Sequence, residues 1–197
     1  MSRRFGIVCI LLGVCCLLSA AGLVVYNKWD DKNAQKASQD MLQEIQQQIA
    51  EESDSENEEQ HPQQMPVGEI KGYEYIGILT IPALEVELPV LTDWSYAKLK
   101  VAPCLYYGNC YEPDFVIAAH NYQSHFGRLS KLQAGDIVTF TDVSGNIYGY
   151  EVILIETLAE NATKEMITSG FDLSLYTCTP GGGSRVTVRC NAVKLLQ

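Results

Sequence analysis

The chain has 197 residues and a formal charge of −10, enough for one domain with an appendage. Residues 1–65 carry five Lys/Arg against ten Asp/Glu, and residues 66–197 carry nine against fourteen. No basic run follows the first few residues, which excludes the phosphate-tracking surface that nucleic-acid binding needs.

From Phe5 to Tyr26 there are 22 residues without a charge. At about 1.5 Å per residue, roughly 20 apolar residues cross a ~30 Å hydrocarbon core, so the stretch is long enough for a transmembrane helix. Arg3 and Arg4 precede it and favour a cytoplasmic N-terminus, with everything after Tyr26 outside. The competing reading is a cleaved signal peptide ending near Ser19-Ala20-Ala21. The apolar run continues past that site, which favours an uncleaved anchor over residues 1–29. Cys9, Cys15 and Cys16 fall inside it as small hydrophobes.

Residues 30–67 read as an acidic, polar stalk. Between Asp40 and Glu59 there are eight carboxylates and no Lys or Arg. Within it, residues 36–50 have helix formers with Met41, Leu42, Ile45 and Ile49 at helical spacing. The remainder, closed by His61-Pro62 and Pro66, is too charged to bury a core.

A different pattern occupies 68–197. Strands are expected at 73–81, 86–91, 115–120, 136–141, 147–155, 173–178 and 185–195, all rich in Val, Ile, Thr, Tyr or Phe. Residues 142–146 form a hairpin loop, and short helical turns are expected at 94–100 and 124–132. Many short strands with few helices argue for an all-β barrel or sandwich that closes its own edges.

Few residues in this domain can do covalent chemistry. Cys178 ends an apolar strand and meets Thr179-Pro180-Gly181-Gly182-Gly183, where a thiol is accessible and a substrate backbone can come close. His120 ends another strand, and Arg185 begins the strand after the glycines. A Cys/His pair is the minimal equipment for acyl transfer: the thiolate attacks a carbonyl and the imidazole moves the proton. A fixed guanidinium can stabilise the oxyanion and favour the thiolate. Cys104, Cys110, Cys178 and Cys190 show no zinc-ligand spacing. They leave open a non-enzymatic surface domain held by two disulfides.

These residues resemble the sortase family, from about Tyr73 to Val193. Ile76-Gly77-Ile78-Leu79-Thr80-Ile81-Pro82, followed by Glu87-Leu88-Pro89-Val90-Leu91, is similar to the family's opening strands. Ala119-His120-Asn121 is similar to its histidine segment, and Ser174-Leu175-Tyr176-Thr177-Cys178 resembles its TLxTC signature. Arg185 stands where the catalytic arginine follows. The resemblance implies a closed eight-stranded β-barrel and a cysteine transpeptidase on the outer face of a Gram-positive plasma membrane. The catalytic residues would be His120, Cys178 and Arg185, with no metal or organic cofactor. Its partners would be proteins with an LPxTG-like sorting signal and an acceptor amine on a cell-wall precursor or a pilin.

Ser174 replaces the usual Thr of the signature and Ala119 a frequent Gly. Arg189 is a rival to Arg185 because it shares strand parity. His125 ranks below His120 because it lies away from a strand end. Residues 52–72 carry no Asp-Pro-aromatic lid of the pilin-polymerising kind. A thiol hydrolase using the same residues, with water as acceptor, is the alternative enzyme.

Overall fold

The opening helix, α1 (Arg3–Ser53), runs through two compact units, residues 1–33 and 34–197. The structure, a computed structural model, describes residues 3–53 and 65–195. In the first unit every side chain from Gly6 to Trp29 is exposed, including Ile10, Leu17 and Val25. Among the described residues, one helix is apolar and long enough to cross a membrane; its most apolar window has a mean hydropathy of 2.8. A helix apolar all round with nothing packed on it suits a lipid environment.

In the second unit the same helix becomes amphipathic. Ala34, Ser38, Met41 and Ile45 are buried while Asp40 and Glu44 face out. That 4-3-4 spacing is one helical seam. Met41 and Ile45 pack with Ile70, Tyr75, Leu99 and Ala102. Ser38 Oγ donates to Val101 O (2.5 Å), Gln46 Nε2 donates to Glu87 Oε1 (2.9 Å), and Lys71 Nζ lies 2.6 Å from Glu44 Oε1. The unit boundary thus falls inside the stretch whose composition suggests a solvated stalk. Carboxylates dominate the count there, yet the four-residue seam decides where the helix packs. The acidic residues 54–59, His61-Pro62 and most of the span lacking a lid motif lie outside the described residues.

After a short β1 (Gly68–Ile70) come β2 (Tyr73–Ile81) and β3 (Val86–Leu91). Next are α2 (Tyr96–Leu99), β4 (Cys104–Tyr107) and β5 (Phe115–Ala118). Then follow β6 (Ile137–Asp142), β7 (Ile147–Ala159), α3 (Thr163–Ile167), β8 (Leu173–Cys178) and β9 (Ser184–Val193). Neighbours run β2-β3-β4-β5-β8-β9-β7-β6, and β6 pairs back on β2. This is a closed, eight-stranded mixed barrel, with β1 added outside the ring as a hairpin to β2. The β3–β4 and β5–β8 pairs are parallel and the remaining pairs antiparallel.

Closure depends on β2 serving two partners. Its pairing shifts register between Tyr75 and Gly77, where Gly77 has φ 155°. A Cβ there would stand 2.1 Å from Thr141 O of β6, so only glycine lets the two strands meet. Leu79, Ile81, Phe115, Ile117, Phe140, Leu175 and Val188 fill the interior. The helix seam and α2 cover part of the outer face through Ile78, Leu91, Cys104 and Ala118.

Three strands begin and end where the sequence places them: 73–81, 86–91 and 173–178. Expected strand 115–120 stops at Ala118, so His120 lies two residues beyond the regular pairing. β1, β4 and α3 have three, four and five residues, too short for periodicity to register. The turn expected at 124–132 is realised as a 3-10 turn at Leu129–Lys131.

Candidate active site

His120, Cys178 and Arg185 line one cleft. The sheet explains why. Ala118 pairs with Tyr176 across the parallel β5–β8 pair, and Ala119 N donates to Tyr176 O (3.2 Å). Carrying that register on by two residues brings His120 level with Cys178. On the other side Cys178 pairs directly with Arg185 across antiparallel β8–β9. Paired residues on neighbouring strands project to the same face, with strands about 4.8 Å apart. Three adjacent strands therefore present His120, Cys178 and Arg185 in a row, each half-buried.

Local bonds hold each strand end. Thr177 Oγ1 donates to Ala119 O (2.8 Å), fixing the backbone between His120 and Cys178. Thr179 N donates to Ser184 O (3.0 Å) and Gly182 N to Thr179 O (2.8 Å), closing the turn after Cys178. Gly181 and Gly182 have φ of 89° and 78°, which a β-carbon would oppose. Arg185 Nη1 donates to Gly182 O (2.8 Å) and Ser184 O (3.1 Å). Its Nε and Nη2 make no hydrogen bond among the described residues, leaving three N–H donors for a ligand.

The four domain cysteines are free thiols. Cys104, Cys110 and Cys190 are buried, and burial pushes each up to about 12. Cys178 is the half-exposed one, so only it pairs accessibility with a neighbouring guanidinium. Tyr176, beside it, is also raised above the ordinary phenol value by burial and stays neutral.

The rivals occupy other positions. Arg189 pairs with Ser174, four residues back from Cys178, and is buried at 2 % exposure. Its Nε donates to Glu156 Oε1 (2.7 Å) and its Nη1 to Ser174 Oγ (2.8 Å). His125 is completely buried, and its Nε2 lies 2.9 Å from Ser38 Oγ of α1. Because Ser38 spends its proton on Val101 O, the imidazole N–H is the donor to it. The Tyr122 ring stands beside both histidines, 5.1 Å from His120 and 5.4 Å from His125 by ring centroid.

Sequence reasoning missed the rest of the cleft. One wall is aromatic: Tyr96, Trp94, Tyr106 and Tyr176 are in successive ring contact. The β7–β8 crossover also lines the cleft, with Glu160, Ala162, Thr163 and Met166. Nothing in the crossover's composition marks it, because its role comes from where the sheet sends it.

Residues 79–193 match the family model described as the Sortase domain. The chain belongs to the sortase family. Sortase C1 from Streptococcus agalactiae is 26% identical over 61% of this chain and 68% of that one, with a TM-score of 0.55. A Clostridium perfringens sortase D5 transpeptidase is 19% identical, covers 81% of this chain and 99% of its own, and has a TM-score of 0.61. Clostridium perfringens sortase C, solved with the C-terminal cell wall sorting motif, is 20% identical over 89% and 100%, with a TM-score of 0.55. No curated protein matches the chain. The sortase barrel in this chain thus carries its half-exposed cysteine on β8.

Proposed function

We propose that this sortase is a cysteine transpeptidase that cleaves an LPxTG-like sorting signal and transfers the protein to an amine. The observation that carries the reading is that His120, just beyond β5, Cys178 of β8 and Arg185 of β9 open into one cleft. Cys178 Sγ attacks the carbonyl carbon of the signal's Thr, and the tetrahedral oxygen draws hydrogen bonds from the unused face of Arg185. The C–N bond to Gly breaks as His120 gives its proton to the leaving amine, which leaves a thioester on Cys178. An acceptor amine then attacks the thioester as it gives a proton to His120, and Cys178 leaves as the thiolate beside the re-protonated imidazole. A cell-wall precursor or pilin amine is the acceptor that the family implies. The relative solved with a cell wall sorting motif supports the same substrate class. The exposed apolar helix serves as the membrane anchor, with the barrel on the outer face.

The test is the full chain in detergent with a panel of sorting-signal peptides, with and without an oligoglycine amine. A peptide–amine adduct and a trapped acyl-enzyme on Cys178 are expected. Hydrolysis alone, undiverted by amine, points instead to a thiol hydrolase. No turnover of any sorting peptide overturns the substrate assignment.

A further inference from the structure

We infer that Arg189 is a positioning residue that shapes the substrate side of the cleft, an inference that rests on reading the cleft as the peptide site. A fully buried guanidinium needs a reason, because taking its charge out of water is unfavourable unless several partners meet it. Among the described residues, two of its partners are on the barrel, Glu156 of β7 and Ser174 of β8. The others are in the crossover: Nη2 donates to Glu165 O (2.8 Å), Nη1 to Met166 O (3.4 Å), and the guanidinium carbon lies 5.9 Å from the Phe171 ring centroid.

The crossover has little structure of its own. α3 is five residues long and has no side-chain N-cap bond, so it is below the length at which a helix holds itself. Asp114 Oδ1 fastens the far end by accepting from Ser169 N (2.7 Å) and Gly170 N (3.0 Å). At the near end, the planar fork of Arg189 spans two consecutive carbonyls. That sets the rotation of α3 about its axis and hence the face on which Ala162, Thr163 and Met166 meet the cleft. An ammonium would satisfy Glu156 but has no fork to bridge carbonyls and hydroxyl together. Arg185 and Arg189 thus divide the labour: the first meets the reacting atoms, the second holds the wall that receives the peptide.

The experiment compares Arg189→Lys, the paired Arg189→Met/Glu156→Leu and Glu156→Gln with the unaltered full chain. Apolar replacement of both partners tends to preserve folding, so the paired variant loses the carbonyl clamp without leaving an orphaned charge. For Arg189→Lys and the paired variant we expect KM to rise about tenfold, as for loss of one or two hydrogen bonds, with kcat within about threefold. Amide exchange over residues 163–170 should quicken, while alkylation of Cys178 by iodoacetamide keeps its rate. Glu156→Gln should lower the melting temperature but leave KM and the exchange of 163–170 unchanged. Unaltered KM and exchange in both clamp variants overturns the inference, as does a fall in kcat alone or a Glu156→Gln variant that reproduces the KM shift. If the unaltered chain turns over no peptide, the functional reading fails, and the exchange arm still decides whether Arg189 holds the crossover.

Discussion

Cys178 and Arg185 are direct partners across β8 and β9, and the turn that joins them is held by the same arginine through Gly182 O and Ser184 O. The glycine turn thus sets two things at once: the thiol's exposure and the guanidinium's distance from it. Arg189, on the same face, is about 13 Å further along the strand at ~3.3 Å per residue.

The two arginines should separate cleanly in kinetics. Arg185→Ala is expected to lose on the order of 10²-fold or more in kcat, as when an oxyanion donor is removed. Arg185→Lys should also be poor, since an ammonium lacks the planar fork. Arg189→Ala should chiefly cost stability, roughly 3 kcal/mol for breaking a buried pair, with a smaller loss in turnover. Steady-state rates and thermal melts on both alanine variants check this. A larger kcat loss at Arg189 reverses the assignment.

Cys178→Ala and His120→Ala should each abolish cleavage and transfer while the barrel still folds. Both side chains are half-exposed, Cys178 at the end of β8 and His120 two residues beyond β5, outside the packed interior, so removing them leaves no cavity there. Circular dichroism should match the unaltered protein. Retention of more than a few per cent of activity by Cys178→Ala refutes the covalent route.

The readable parts of the sequence were those with a period or a motif. Leu173–Cys178 and Tyr73–Ile81 announce themselves by β-branched and aromatic runs cut by turn residues. The ends of the two apolar runs can be read because Thr179-Pro180 and three glycines follow Cys178 and Asn121 follows His120. The docked part of α1 was only half legible: Met41, Leu42, Ile45 and Ile49 show helical spacing, but eight nearby carboxylates outweigh these four apolar residues in a composition count. The crossover wall could not be read at all, since Ala162, Thr163 and Met166 reach the cleft through contacts with distant residues, Asp114 and Arg189.

Topology gives a further check. On the proposed topology, Arg3-Arg4 before the apolar run predicts the N-terminus inside and the barrel outside. External protease on intact cells should remove the barrel and leave a membrane-bound stub. Recovery of a soluble secreted form that begins near Gly22 contradicts this.

Truncation tests the docked helix. Full burial of Met41 and Ile45 is worth about 1.5–3 kcal/mol each, as an upper estimate, against a total of about 5–15 kcal/mol for a typical domain. A chain that begins at Pro66 should therefore melt roughly 10–20 °C below one that begins at Ala34, or fail to fold. Equal melting temperatures would show that the seam adds nothing.

The buried thiols predict an alkaline limit to stability. Cys104, Cys110 and Cys190 rise from the ordinary 9.0 to about 12, in each case mainly because burial penalises the thiolate. The native protein holds these protons more tightly than the unfolded chain does, so their contribution is fully present below pH 9 and is lost as pH climbs through about 12. Between those limits the unfolded chain binds fewer protons, and stability falls by at most about 1.4 kcal/mol per pH unit for each thiol. Melting temperatures of the 34–197 chain should be flat from pH 7 to 9 and then drop steadily. Cys190→Ala should make the drop shallower. At pH 8 a thiol reagent should label the folded chain once, at Cys178, and four times after denaturation without reductant. Two labels after denaturation would mean a disulfide, and a steep loss below pH 9 would mean that other groups govern the limit.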